Sequence, residues 1–389
     1  MTLALSPDQV SAVDAVCAAL KARSVAPSVL VGPAGTGKTT LLGPIAERIT
    51  ADRRAIRFAA PTGRAAKVLS EKLAARGIPG VATTIHRALY GLAEDSDEGL
   101  KFSGLKEPIN AGGVLVIDEA SMVDEFIHRD IMSQMPPRAS LLYVGDREQL
   151  PPVSGTWGAD FTSPTAALTE VHRQALESPI VRIATSVRQG GRMPFGSEPG
   201  YRRERGTVVT AATWLAEHCR AGNDAVLLSA TNGSRHGVNL AARSMLGLSG
   251  GPAVVPGDRL AVLLNSYDAE LMNGETVDVA TVEDVGPELV QVTTTAGHVF
   301  QVPTDLMGPN CGAKFRERVK AVDPVIPWVH VDYGWCLTIH KSQGSEWRHV
   351  GLLLDQGFAA WCRRDRETGR RLAYTGITRA RETLTAFDI

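Results

Sequence analysis

Apolar positions follow two alternating rhythms along the chain. Val10, Val13, Val16 and Leu20 share one face at helical spacing, behind Ser6 as a cap and Pro7 in the first turn, and predict an opening helix. Ser28–Val31 is a short continuous apolar run, as a strand buried on both faces requires. It leads straight into Gly32-Pro33-Ala34-Gly35-Thr36-Gly37-Lys38-Thr39, after which Leu41–Ile49 returns to helical character. The alternation continues with a strand over Ala55–Ala60, a helix over Gly63–Arg76, and strands at Val114–Ile117 and Leu141–Val144. Strands alternating with helices predict a parallel α/β sheet.

A second α/β region begins near Thr165, with a helix near Ile180–Arg188, a strand at Ala225–Leu228 and a helix after Asn232. From about Pro252 to Val331 the runs become short and β-rich: Arg259–Leu264, Thr276–Val282, Leu289–Thr294 and Val299–Val302. Asn273-Gly274, Gly286-Pro287 and Ala296-Gly297 punctuate them as turns, which predicts a small β-barrel inserted into the second region. From Trp335 to Ile389 the α/β character returns.

Composition narrows the class. The 389 residues suffice for two or three domains, and 44% hydrophobic with 21% charged residues is ordinary for a globular protein. No apolar run approaches the roughly 20 residues that cross a bilayer, and Met1–Gln9 does not read as a signal peptide, so the expected location is the cytoplasm. Cys17, Cys219, Cys311, Cys336 and Cys362 have neither paired nor zinc-site spacing and read as reduced thiols. The net charge of −1 gives no global argument for nucleic-acid binding, although a local groove can be positive on a neutral protein.

The candidate chemistry starts at the glycine-rich loop. A strand, then glycines, then a helix start is the context in which backbone N–H groups cradle phosphate oxygens. In that reading Lys38 reaches the β- and γ-phosphates and Thr39 ligates Mg²⁺; a structural glycine turn is the bland alternative. Val114–Ile117 ends in Asp118-Glu119, a pair suited to holding Mg²⁺ and polarising an attacking water, or else solvated charge at a strand end. Leu141–Val144 ends at Gly145-Asp146-Arg147-Glu148-Gln149, where Gln149 is placed to sense a γ-phosphate unless the turn is merely polar and stiffened by Pro151 and Pro152.

Gly145-Asp146-x-x-Gln149-Leu150-Pro151-Pro152 resembles motif III of superfamily 1 helicases, and the whole chain is similar to the RecD/Dda-like 1B branch. Gln9 resembles the Q motif, Ala60-Pro61-Thr62-Gly63-Arg64 motif Ia, Thr84-Ile85-His86 motif Ib and Asp118-Glu119-Ala120-Ser121 motif II. His172-Arg173-Gln174 resembles motif IV, the stretch from Leu337 to Glu346 motif V, and Tyr374–Arg381 motif VI. The motifs come in the family's order and span nearly the whole chain.

The resemblance implies two RecA-like P-loop domains, a small β-hairpin pin insert (1B) and an SH3-like β-barrel insert (2B). The implied boundaries are 1–86 with 114–160 for domain 1A, 87–113 for the pin, 161–250 with 335–389 for domain 2A, and 251–334 for the barrel. It implies an ATP-dependent DNA helicase moving 5′ to 3′ on single-stranded DNA with Mg²⁺, or alternatively a translocase that strips bound proteins and unwinds little. Catalysis would fall to Lys38, Asp118, Glu119, Gln149, Arg173 and Arg379, the two arginines meeting the γ-phosphate. ATP would be held by Gln9, by Gly32, Pro33, Ala34, Gly35, Thr36, Gly37, Lys38, Thr39 and Thr40, and by Gly344 and Glu346; Thr39 and Asp118 would take the metal. Pro61, Thr62, Gly63, Thr84, His86, Thr338, His340 and Ser342 would line the strand channel, and Phe102 is either a base-stacking platform or buried beneath its hairpin. Single-stranded DNA and single/double-strand junctions are the implied partners, with replication or repair proteins such as a single-strand-binding protein beside them, and a monomer can carry every part.

Overall fold

The structure is a computed structural model that describes residues 5–24, 26–90, 93–94, 101–102, 111–152, 155–171, 177–249, 253–266, 268–308, 310–322 and 324–389. The chain forms two compact units, Met1–Thr185 and Ser186–Ile389.

The first unit runs α1 (Pro7–Ala22), β1 (Ser28–Val31), α2 (Lys38–Ala51), β2 (Ile56–Ala60), α3 (Gly63–Ala74), β3 (Thr83–Thr84) and α4 (Ile85–Tyr90). A two-stranded antiparallel hairpin follows, β4 (Ala93–Glu94) with β5 (Lys101–Phe102). Then come β6 (Val114–Ile117), α5 (Glu125–Gln134), β7 (Ser140–Gly145) and β8 (Ala166–Ala167). Six strands form one sheet in the order β3-β2-β6-β7-β1-β8, every neighbouring pair parallel. The central strands are buried on both faces, which explains their unbroken aliphatic runs. Leu41, Leu42, Ile45, Leu69 and Leu73 pack from α2 and α3 against Val114, Val116, Leu142 and Val144.

One expected boundary moves. The second unit was expected from residue 161, yet Ala166 and Ala167 pair with Leu30 and Val31 of β1. The Thr165 hydroxyl accepts from the Val29 N–H at 3.0 Å, and Leu168 N–H donates to the Val31 carbonyl at 2.8 Å. Two residues of strand carry too little pattern to declare which sheet they join, and the first unit therefore extends to Thr185.

Helix α6 (Pro179–Arg188) reaches across that boundary. The second unit continues with β9 (Gly196–Glu198), β10 (Tyr201–Arg205), α7 (Val208–Arg220), β11 (Ala225–Ser229) and α8 (Asn232–Met245). After these come β12 (Arg259–Val262), β13 (Thr276–Gly286), β14 (Leu289–Thr294), β15 (Val299–Pro303), α9 (Gly312–Val322) and β16 (Val331–Tyr333). The chain ends in β17 (Cys336–Thr338), β18 (Trp347–Leu354), α10 (Gln356–Arg364), α11 (Arg366–Ile377) and β19 (Ala380–Asp388). A six-stranded sheet in the order β17-β11-β18-β19-β10-β9 is parallel except for its β9–β10 edge.

Strands β12 to β16 form a separate antiparallel sheet, ordered β15-β14-β13-β12-β16. Just before β16, Val329 N–H donates to the Gln301 carbonyl of β15 at 2.9 Å, so the sheet closes on itself around Val262, Val279, Val292, Phe300, Val302 and Val331. This closed sheet is inserted between β11 and β17, which are themselves hydrogen-bonded neighbours. Two buried arginines of α8 brace it: Arg243 makes a bidentate pair with Asp258, at 2.7 and 2.9 Å, and Arg235 pairs with Asp332 of β16.

Candidate functional site: a phosphate loop facing paired carboxylates, and a polar strand edge

Strand order decides which side chains meet in the first unit. β7 lies between β1 and β6, so the loops leaving the carboxyl ends of all three share one edge. From β1 the chain enters the glycine loop. Gly35 and Gly37 stand at φ 82° and 81°, where a side chain would be strained. A Cβ on Gly32 would lie 2.6 Å from the Thr36 hydroxyl and 3.0 Å from the Leu168 side chain. Gly37 caps α2 with no side-chain hydrogen bond, which leaves the first-turn N–H groups for another acceptor. Lys38 folds its ammonium onto the Gly32 and Pro33 carbonyls at 2.6 and 3.1 Å, and Thr36 donates to the Pro33 carbonyl at 2.9 Å. Pro33 is buried, Ala34, Thr39 and Thr40 are half-buried, and Arg76 donates to the Thr40 hydroxyl at 3.3 Å.

Gln9 reaches this loop from α1. It is 4% exposed, closes a capping box with Ser6, and donates from Nε2 to the Thr36 carbonyl at 3.2 Å. From β6, Asp118 accepts from the Glu119 N–H at 2.9 Å. Its carboxyl is pushed up to about 6, first by burial and then by the Glu119 charge, with the Glu119 N–H, Lys72 and Lys38 pulling the other way. Glu119 adopts φ 53°, a left-handed backbone that turns the chain into a short 3-10 segment, Ala120–Met122. At the end of β7, Asp146 is 1% exposed and Gln149 4% exposed, and Gln149 N–H donates to the Asp146 carbonyl at 3.2 Å.

A helix-capped loop with two left-handed glycines, one lysine held on neutral carbonyls, and a carboxylate pair at the end of the next strand but one suits a nucleoside triphosphate with Mg²⁺. Thr39 and Asp118 are the residues that would hold such an ion, offering two hard oxygen donors beside phosphate and water. Lys72, whose charge bears on Asp118, and Arg76 were not singled out from sequence, since isolated cations on a helix have no spacing signature.

Beside the same sheet, Thr62 caps α3 by accepting from the Ala65 N–H at 3.2 Å, with half-buried Pro61 and Gly63 on either side. Thr84 pairs with Ala60 and accepts from the Arg87 N–H at 3.2 Å, and His86 is exposed on α4. Thus Pro61, Thr62, Gly63, Thr84 and His86 cluster at the β2–β3 edge. The backbone of Phe102 pairs with Ala93, and its side chain lies outside the described residues, as do all of Arg173 and the rest of motif IV.

In the second unit, β17 delivers motif V. Thr338, 7% exposed, accepts from the Lys341 N–H at 3.3 Å, and Ser342 is fully buried, donating to the Ile339 carbonyl at 2.7 Å. Burial lowers the His340 pKa and favours its neutral ring, which lies 6.2 Å from that of Trp361. Lys341 is brought down to about 8, chiefly by burial and then by Arg235, against the opposing pull of Asp332. Gly344 turns the chain at φ 71° ahead of half-buried Glu346. Arg379 is 3% exposed, and its guanidinium donates to the carbonyls of Thr375 and Ser345 at 3.1 and 3.2 Å and to the Thr378 hydroxyl at 3.1 Å. It thereby ties motif VI to motif V.

Comparison with known proteins agrees with this architecture. The family model described as an AAA domain matches residues 4–212, more than half the chain, and the chain belongs to that family of P-loop proteins. A model described as a UvrD-like helicase C-terminal domain matches residues 333–386, and within the helicases the chain falls in superfamily 1B, in the RecD/Dda-like group. The ATP-dependent RecD2 DNA helicase of Deinococcus radiodurans is 28% identical over 370 residues, covering 91% of this chain and 46% of that protein. The ATP-dependent DNA helicase dda of Enterobacteria phage T4 is 37% identical over 169 residues, covering 41% of this chain and 37% of that protein. The chain thus spans less than half the length of either relative. The crystal structure of Pif1 helicase from Bacteroides in complex with ADP-AlF3 and ssDNA shares the fold at a TM-score of 0.51 and 16% identity, over 99% of this chain and 92% of that one.

Proposed function

We propose that the chain is an ATP-driven DNA helicase that moves 5′ to 3′ along single-stranded DNA and opens duplex ahead of it. The observation that carries this reading is the shared edge of β1, β7 and β6, where the Lys38 loop, Gln149 and the Asp118–Glu119 pair converge. Lys38 and the N–H groups opening α2 hold the β- and γ-phosphates, and Gln9 steadies the loop from behind through Thr36. Thr39 and Asp118 hold Mg²⁺, which neutralises phosphate charge when bound. Glu119 accepts a proton from the attacking water, and Gln149 orients that water and senses the γ-phosphate. Arg379 and Arg173 stabilise charge on the transferring group, a role worth about 10³–10⁵ in rate in related NTPases.

The polar edges at Pro61–Gly63, Thr84–His86 and Thr338–Ser342 hold the strand through phosphate contacts, which bind without reading sequence. The β4–β5 hairpin serves as the pin and the closed sheet of β12–β16 as the SH3-like clamp. The direction of movement and the preference for DNA rest on the RecD/Dda-like likeness. The deciding measurement is ATP hydrolysis with and without single-stranded DNA for the wild type, Lys38→Ala and Arg379→Ala. Strong stimulation by DNA, lost in both variants, is the expected result, and tailed duplexes then give the polarity. Hydrolysis indifferent to DNA would sink the motor reading.

A further inference from the structure

Within the second unit, a stack of three rings fastens α7 to β18. The ring centres of Trp214 and His218, one helical turn apart, are 4.4 Å from each other, and those of His218 and His349 of β18 are 4.5 Å apart, with the two imidazoles tilted by 34°. Trp214 also meets Phe387 of β19 edge-on at 6.0 Å. Both histidines are half-buried, and each has its Nδ1 tied down. The Asn223 amide donates to His218 Nδ1 at 3.2 Å, a bond that only the unprotonated nitrogen accepts. His349 Nδ1 bonds the Thr383 hydroxyl of β19 at 2.8 Å.

The stack stands directly behind motifs V and VI. Trp347, the first residue of β18, donates its N–H to the Arg379 carbonyl at 2.9 Å, and the β18–β19 register slips between Trp347 and His349. An irregularity of this kind aims the residues beside it, and the His349–Thr383 bond closes its far side. Burial first, and then the His349 ring, lower the His218 pKa below its ordinary 6.5, while Glu217 of α7 and the Trp214 ring pull the other way. The other charges around the pair are matched among themselves. Arg348 of β18 pairs with Glu382 of β19 at 2.7 Å, and Arg381 of β19 pairs with Asp224, just ahead of β11, at 3.6 Å. The packed form of the stack is therefore one of neutral rings.

We propose that the His218–His349 stack is a proton-operated latch between α7 and the start of β18, closed while both rings are neutral and opened when His218 takes up a proton. Its effect on catalysis rests on the role proposed above for Arg379. A protonated His218 loses the Asn223 bond, or forces that amide to turn over, and sets a half-buried cation against His349. The displacement falls on the β18–β19 junction whose first pair holds the Arg379 carbonyl. A base with a depressed folded pKa costs the native state nothing well above pH 6.5. Below that the unfolded chain binds more protons, so stability falls with pH until the folded pKa is passed. Acidification thus loosens the packing behind Arg379 and slows turnover, while the loop around Lys38 is left as it is.

Histidine ring titrations of the whole chain, read by NMR and assigned with His218→Gln and His349→Gln, test the coupling. His218 is expected to titrate below 6.5 in the wild type and higher in His349→Gln. His218→Phe keeps a ring in the stack and cannot take the proton. From about pH 7.5 to 5.5 its urea midpoint should fall less than that of the wild type, and its kcat with single-stranded DNA should keep about threefold more of its neutral-pH value, at unchanged KM for ATP. His218→Gln should behave likewise, which sets aside any packing fault peculiar to phenylalanine. Asp118 also titrates, near 6, so the difference between the chains is the readout. The latch is overturned if His218 titrates at or above 6.5, or if His349→Gln leaves that titration where it was. It is equally overturned if the kcat profiles run parallel while the stability profile flattens, which would make the stack a packing device only. Hydrolysis absent from the wild type at every pH would reject the motor reading and the link to Arg379 with it, and the titration and urea curves would still show whether the pair opens.

Discussion

Glu119 holds a left-handed backbone, φ 53°, at the point where β6 turns into the 3-10 segment. An L-residue there costs about 1 kcal/mol relative to glycine, and such strain gathers where a side chain must be aimed. Glu119→Gly should therefore raise the unfolding free energy by up to about 1 kcal/mol while abolishing hydrolysis. Glu119→Gln should retain nucleotide binding and lose about 10²–10⁴ in kcat, and denaturant melts beside single-turnover hydrolysis check both variants. Lys341 gives a pH signature. Its folded pKa, about 8, lies below the ordinary 10.5, so folding disfavours its charged form. That cost is fully present below about pH 8 and is relieved as pH rises toward 10.5, because there the unfolded chain binds more protons than the native one. Lys341→Met should flatten the rise in stability over that interval, and an unchanged slope in denaturant midpoints would refute the assignment. At this scale the sequence is uneven. Lys38, Asp118 and Gln149 are legible because each ends a recognisable strand and loop. Arg235 and Lys72 are not, because a lone cation on a helix looks the same whether buried or solvated until its neighbours are known.

Among elements, α8 carries more than its pattern suggests. Arg243 sits 4.3 Å over the Tyr333 ring, bonds the Tyr333 hydroxyl at 3.0 Å, and holds Asp258, which is fully buried. Arg243→Met leaves that carboxylate buried and unpaired and should cost about 3–5 kcal/mol; pairing it with Asp258→Leu should recover much of the loss. A double-mutant cycle by urea unfolding measures the coupling, and simple additivity would mean the pair does not brace the inserted sheet. The strands β12 to β15 were legible from alternation and turn residues, as were β1, β2, β6, β7 and β11 from their apolar runs. Strands β8 and β16 were not, being two and three residues long with no turn marking their start. The β9–β10 edge and α7 were likewise unread, since Tyr201–Arg205 is largely charged and its pairing partner, β19, lies far away in sequence.

At the level of the whole molecule, the proposed nucleotide site draws its phosphate-holding loop and carboxylates from the first unit's sheet edge, so its ligand should stabilise by mass action. A hundredfold excess of Mg-nucleotide over its Kd should add about 2.7 kcal/mol to unfolding, and Lys38→Ala should abolish the gain. Calorimetry with and without chelator tests this; a wild type whose melting ignores Mg-nucleotide would argue against the site. Net charge is −1, so the proposed strand binding relies on local donors rather than on a general field. The closed sheet of β12–β16 has a consequence of another kind. The strands on either side of it, β11 and β17, are joined by hydrogen bonds, so the parent sheet is already complete where the extra chain departs and returns. Such a junction works like a socket: a module can be lengthened, reshaped or exchanged there while Ser229 and Thr338 keep their places. The inserted sheet can thus diversify without any change to the parallel sheet that carries it.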